Sequence, residues 1–272
     1  MRAKAEPQQN RFLGSLSPEV QGRLFPYLEL VSLPLRAVVY ESGRPMRHVY
    51  FPTDSIISLQ YVMEDGTSTA IQVVGNEGLM GITLIMGAEH TSRSLVQSAG
   101  YAYRLPTERV QEEFDRHEQL LVLMLSYTQA LITQISQTAV CNRYHTVDQQ
   151  FCRWLLMSMD RVSGPNLTMT HEFIGNMLGV RREGVTQAAS KLKQLGVISY
   201  RRGLITVLDR PQLETLTCEC YDVVSRETDV LLTYRPQRQV VRKTDSIRKV
   251  TLPMRQRHHP AAALEAGMAR HF

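Results

Sequence analysis

The sequence predicts an α+β chain: an N-terminal antiparallel β roll (a jelly-roll-like barrel), a long helix, and a C-terminal winged helix-turn-helix. Three observations predict it. Residues 33–105 break into short β-rich runs punctuated by Gly, Pro, Asp and Asn. Residues 108–140 carry apolar side chains at spacings of three and four. Residues 168–208 hold two helical patterns that meet at Gly179-Val180, and a hairpin with Arg201-Arg202-Gly203 at its tip follows.

In chain order, residues 1–11 are expected to form a disordered lead. Ser17-Pro18-Glu19 fits a helix start, with Ser17 as N-cap and Pro18 in the first turn, and that helix would run to about residue 28. Residues 12–107 are then a sensor domain. Its strand runs are LPLRAVVYESG, RHVYFP, SIISLQYVM, TSTAIQVVG, RSLVQSA and YAYRLP, with Asp65-Gly66 marking a hairpin turn. Six or more strands at such spacing make a small barrel or jelly roll.

The region 108–142 reads as one dimerisation helix. Leu121, Met124, Leu125, Leu131, Ile132 and Ile135 recur on a stripe with more apolar surface than a compact β domain needs, so a homodimer seam is expected, with Thr128 and Thr138 as its weak points. Asn142-Arg143-Tyr144 is the expected hinge. Residues 143–232 form the DNA-binding domain, opened by the amphipathic helix HTVDQQFCRWLLMSMDRV and closed by a helix over 210–232.

Within that domain, a helix starting near Arg182 and turning 100° per residue gathers Val185, Ala188, Ala189, Leu192 and Leu195 on one side. That side would pack on Phe173, Ile174, Met177 and Leu178 of the preceding helix, which Thr170 caps. Arg182, Glu183, Thr186, Gln187 and Ser190 gather on the other side, with Arg181 just ahead of them. Arg reads guanine with two donors, Glu accepts from cytosine and Gln pairs with adenine. Arg201 and Arg202 at the hairpin tip would meet phosphate, which positions a module without reading sequence. An ordinary amphipathic helix with a solvated face could carry the polar side alone, but not the helix, glycine turn, helix and basic hairpin together.

The net charge of +5 is uneven: residues 233–272 carry +7, residues 1–232 carry −2, and residues 168–210 carry +4. The tail is expected to be a basic, disordered arm. No apolar run is long enough to span a membrane, and MRAKAEPQQNRF lacks a signal core, so the chain is expected to stay in the cytoplasm. Cys141, Cys152, Cys218 and Cys220 do not form a paired C-x-x-C pattern, and Cys218-x-Cys220 reads as too close for a usual chelate. Reduced structural thiols with no metal and no cofactor are the expectation. His48 and His90 read as surface or hydrogen-bonded histidines rather than haem ligands.

Two other classes compete. An enzyme finds no support, because G-x-S-x-G, H-E-x-x-H, Walker and G-x-G-x-x-G motifs are all absent, and Glu77 in Gly75-Asn76-Glu77-Gly78 reads as a turn carboxylate. A protein-interaction module that kept only the β roll does not account for the Arg182–Glu183 face.

The order of roll, long helix and winged helix-turn-helix resembles the Crp–Fnr family of bacterial transcription regulators over about residues 13–232. The most specific stretch is LGVRREGVTQAASKLKQLGVISYRRGLITVLD. The resemblance implies that Arg182 and Glu183 read bases, and that Gln187 stands where members often carry a third base-reading side chain, commonly Arg. It also implies double-stranded DNA, a second copy of the chain and RNA polymerase as partners. YFPTDSIISLQYVMEDG and GNEGLMGITLIMGAEHTSRS lie where the family has its cyclic-nucleotide pocket, so Gly81, Ile82, Arg93 and Ser94 line the implied effector site, whose ligand is unknown. A nucleotide-binding member has Gly-Glu there, the Glu holding the ribose hydroxyl, and some ten residues later an Arg followed by small residues, holding the cyclic phosphate. Here Ile82 follows Gly81, and Leu95 follows Arg93-Ser94, so a response to cyclic AMP is not expected. With no cysteine before Cys141, an N-terminal iron–sulfur cluster has no thiolates.

Overall fold

The N-terminal half is built on two antiparallel sheets that share one apolar interior. The structure is a computed structural model describing residues 6–64, 68–82, 92–162 and 164–233. One sheet has the order β1 (Glu29–Leu33), β7 (Gly100–Pro106), β3 (His48–Pro52). The other runs β2 (Val38–Tyr40), β6 (Arg93–Ser98), β4 (Ile56–Val62), β5 (Ser68–Val74). Alternate residues point inward, as period-two strands require, so Leu33, Ile57, Val74, Val96 and Ala102 fill the space between the sheets. Tyr50 and Met80 exchange backbone hydrogen bonds of 3.0 and 2.8 Å at one corner. The result is an open roll, not the closed barrel named as one alternative. The strand β1 was missed because its burial is mostly partial and its sequence, ELVSL, follows directly on a helical segment.

The N-terminus corrects one expectation. From Glu6 the chain is ordered: Pro7–Gln9 forms a 3-10 turn and α1 (Arg11–Gly14) follows. Asn10 is the cause. Its amide is buried and donates to Pro52 O and Gly78 O, both at 2.8 Å, while its oxygen caps Leu13 N. A polar lead without an apolar run gives no sign of such anchoring. Ser17 caps α2 (Pro18–Leu24) as expected, but that helix ends early and Phe25–Tyr27 tightens to a 3-10 turn.

The long helix is two helices. α3 (Thr107–Phe114) and α4 (Gln119–Tyr144) are separated by a bend where His117 takes φ 54°. Glu113, buried on α3, receives two hydrogen bonds from Arg23 at 2.6 and 2.7 Å, which holds α3 against α2 and off the axis of α4. One face of α4 joins Phe12, Leu13, Val20, Phe51 and Leu105 through Leu120, Leu123, Met124, Tyr127 and Leu131. The helix continues through Asn142-Arg143-Tyr144, so the break falls at His145-Thr146 rather than at the expected hinge. There Thr146 and Gln149 form a reciprocal capping box that starts α5 (Val147–Met159). This helix is expected to be amphipathic, yet its residues 150–158 are all buried, because it is covered on several sides.

The C-terminal half packs α5 with α6 (His171–Leu178), α7 (Arg182–Gln194), α8 (Arg210–Leu216) and α9 (Cys220–Thr233) around Phe151, Leu155, Ile174, Val185, Leu192 and Ile205. Its sheet has three strands, in the order β8 (Asn166–Thr168), β10 (Leu204–Val207), β9 (Ile198–Arg201). The third strand, β8, is too short to show a period in the sequence. Ala70 of β5 joins this core, so the halves meet through β5 and α6. At the same junction Arg161 Nε donates to Glu77 Oε1 at 2.7 Å, with both side chains buried. Glu77 is thus an ion-pair partner, and it also accepts from Gly75 N at 3.1 Å. Among the described residues no helix is long and apolar enough to cross a membrane. The Asp65-Gly66 turn, His90 and the tail beyond Thr233 lie outside the described residues.

Candidate nucleic-acid interface

Helix α6 starts where the Thr170 hydroxyl accepts from Phe173 N, and it ends at Gly179, whose φ of 68° is the left-handed conformation that glycine takes without cost. A Cβ on Gly175 would stand 2.9 Å from Val180 O, so the turn passes tightly over its own helix. Helix α7 then leaves with Arg181 as N-cap. Val185, Ala188, Ala189 and Leu192 are buried against α6, and a fully buried Leu or Val side chain contributes roughly 1.5–3 kcal/mol. Leu195 departs from its expected place: it is exposed at the helix end, where the chain turns into Gly196 at φ 72°.

Burying one face of α7 presents the other. Arg181, Arg182, Glu183, Thr186, Gln187 and Ser190 are all exposed, as are Arg201 and Arg202 at the hairpin tip. Arg202 (φ 51°) and Gly203 (φ 79°) form a two-residue turn between β9 and β10, with Arg201 opposite Leu204. Two of the polar residues differ from the rest. Thr186 Oγ1 donates to Arg182 O at 3.0 Å and Ser190 Oγ to Thr186 O at 2.8 Å, so both hydroxyls are turned back onto the helix. Thr186 Oγ1 also lies 3.0 Å from His171 Nδ1, and the His171 ring stacks on Tyr200 at 4.2 Å. Burial, helped by the Arg182 charge, holds His171 below the usual histidine range. Sequence reasoning missed this histidine, since its contacts come from two other elements, α7 and β9.

The residues expected to form a dimer seam divide. Met124 and Leu131 are buried in the protomer's own core and Leu121 is half-buried. Leu125, Ile132 and Ile135 are exposed, at 55%, 53% and 39%. Leu125, Thr128, Ile132, Ile135 and Ala139 thus form the outward stripe, at spacings of three and four. Thr128 and Thr138 hydroxyls donate to the carbonyls of Met124 and Gln134, both at 2.8 Å, which leaves neither with an unmet bond.

In the roll, Gly81, Ile82 and Ser94 border a cavity of about 20 Å³ with Tyr40, Met46, Leu59, Gln72, Met80 and Ser92. Ile82 also packs in the core beside α4. Ser94 is buried against Met80 Sδ, and the Tyr40 hydroxyl donates to His48 O. Arg93 does not join them: its Nε pairs with Glu41 Oε2 at 3.0 Å in an open groove.

The four cysteines are free and buried, as expected of structural thiols, but three of them converge in a way the sequence reading did not foresee. Cys152 is buried alone in the DNA-binding core. Cys141, Cys218 and Cys220 form a cluster of their own, with His145 beside them. The sequence spacing hid this, because the end of α4 and its C-cap supply Cys141 and His145, while the turn before α9 and its first residue supply Cys218 and Cys220.

Comparison with known proteins agrees with the geometry. Residues 149–216 match the family model of the Crp-like helix-turn-helix domain. The global nitrogen regulator of Synechocystis sp. is 22% identical over 179 residues, spanning 62% of this chain and 80% of that protein. The anaerobic regulatory protein of Pasteurella multocida is 23% identical over 189 residues, spanning 66% of this chain and 68% of that protein. Among solved structures, FixK2 from Bradyrhizobium japonicum superposes with a TM-score of 0.60 at 17% identity, covering 70% of this chain and 98% of that one. A putative transcriptional regulator of the Crp/Fnr family from Eubacterium rectale gives 0.57 at 16% identity, covering 77% and 98%.

Proposed function

Given a chain with the Crp–Fnr fold and a Crp-like helix-turn-helix domain, we propose that it binds a palindromic DNA operator as a homodimer and regulates transcription there. The observation that carries this is the exposed face of α7, on which Arg182, Glu183 and Gln187 stand together while the opposite face is buried. Arg182 and Glu183 read bases in the major groove, with Gln187 one turn on. Arg201 and Arg202 contact phosphate from the wing. Leu125, Ile132 and Ile135 pair α4 with its copy, which supplies the twofold axis that a palindrome mirrors. RNA polymerase is the partner that gives such binding its effect.

The same reading makes cyclic AMP a poor effector. Ile82 offers no carboxylate to a ribose hydroxyl, and Arg93 pairs with Glu41 at the surface. Among the described residues the cavity beside Gly81 and Ser94 is about 20 Å³, room for a water. Operator selection from genomic fragments tests the main reading: one palindromic motif should emerge. Titration calorimetry tests the second, where millimolar cyclic AMP or cyclic GMP should give no saturable heat.

A further inference from the structure

Cys141, His145, Cys218 and Cys220 offer one ligand atom each, and these atoms all lie within 4.8 Å of one another. Cys141 Sγ is 3.6 Å from Cys218 Sγ, and Cys220 Sγ is 3.5 Å from His145 Nδ1. A tetrahedral zinc ion with bonds of about 2.3 Å to sulfur and 2.0–2.1 Å to nitrogen places neighbouring ligands about 3.5–3.8 Å apart. We propose that these four side chains form a structural zinc site that clamps the end of α4 to the start of α9.

Local structure explains why the ligands converge. Cys141 lies in the last turn of α4 and His145 is its C-cap, four residues on, so the two stand near one another at the helix end. His145 N donates to Cys141 O at 3.0 Å, which closes that turn. Gln150 Nε2 donates to His145 O at 2.9 Å and holds it from the next helix. Cys218 and Cys220 flank Glu219, which points to solvent at 77% side-chain exposure while both thiols turn inward. That alternation is what lets a Cys-x-Cys pair serve one ion.

The surroundings fit a metal rather than a plain thiol cluster. His145 turns Nδ1 to the sulfurs and Nε2 to Glu219 Oε2, 3.3 Å away. A carboxylate on the far nitrogen fixes the tautomer and aims the lone pair of the near nitrogen, as it does for histidines that bind zinc. Three thiolates and a zinc ion leave one net negative charge. The buried Arg153 guanidinium lies within electrostatic reach of Cys141 and Cys220, and its Nε has no hydrogen-bond partner among the described residues. Three thiolates with one imidazole favour zinc over harder cations, and four protein ligands make a closed, structural site. An iron–sulfur cube binds each ligand to a different iron and needs them wider apart than one ion does.

The test uses the untagged full-length chain. Elemental analysis after zinc addition and desalting should find about one zinc ion per chain. Cobalt(II) exchanged into the wild type should give the intense visible bands of tetrahedral cobalt and a thiolate charge-transfer band in the near ultraviolet. Cys141→Ser with Cys218→Ser should lose both signals, Cys152→Ser should keep both, and Glu219→Ala should weaken zinc binding by about 10–100-fold. Should the double variant be insoluble, the cobalt spectrum of the wild type decides. Wild type that takes up no zinc, an octahedral cobalt spectrum, a double variant with its full metal content, or iron with acid-labile sulfide would each overturn the proposal.

Discussion

Arg202 sits at φ 51°, a conformation that costs a non-glycine residue about 1–2 kcal/mol. Its charge at the hairpin tip is what such a cost can serve. Arg202→Asn relieves the backbone, because Asn tolerates this region, and should raise the stability of the domain by up to about 1 kcal/mol in thermal melts. It should at the same time weaken binding to unrelated duplexes and flatten its salt dependence. A stabilised variant with unchanged salt dependence would place the wing away from phosphate. His171 gives a second check at this scale. Its folded-state value is depressed by burial and by Arg182, so the unfolded chain takes up its proton first as pH falls. Stability should therefore decline as pH drops below the ordinary histidine range near 6.5, and His171→Phe should remove that part of the slope in melts from pH 7.5 down to about 5.5. The polar face of α7 was readable from spacing alone. The His171 contacts to Thr186 and Tyr200 were not, since they join residues far apart in sequence.

Helix α4 has one apolar face in the protomer's own core and another that is exposed, and that is why its apolar stripe misled in detail. The stripe was legible as three-four spacing, but spacing does not tell which residues meet the protomer's own core. Met124 and Leu131 do; Leu125, Ile132 and Ile135 do not. The distinction makes a sharp test. Ile132→Asp with Ile135→Asp should give folded monomers in light scattering, with melting little changed. Leu131→Asp should instead unfold the sensor, since it buries a charge without a partner at a cost of several kcal/mol. A doubly substituted chain that remains dimeric would move the interface elsewhere. The break between α3 and α4 was likewise hidden: no glycine or proline marks it, and the Arg23–Glu113 pair that sets it joins residues 90 apart.

At the scale of the molecule, the halves are joined by contacts the sequence did not announce. The Glu77–Arg161 pair is buried between them. Arg161→Ala leaves the Glu77 carboxylate without its cation and should cost about 3–5 kcal/mol in denaturant unfolding, while Glu77→Gln with Arg161→Met should recover most of it. Fold class, the order of the halves and the exposed polar face of α7 were legible because each is written in local period and turn chemistry. The junction, the ordered residues 6–11 and the cysteine cluster were not, because each depends on long-range packing. The proposed regulation rests on α7 reading a palindromic operator. Anisotropy titration of one selected duplex against its scrambled form, at a single stated salt concentration, tests it most directly. Wild type should prefer the selected site, and Arg182→Ala should lose about 1–3 kcal/mol there, or about 5–150-fold, while binding the scrambled duplex as before. Equal affinity of the wild type for both duplexes would rule out operator reading by α7.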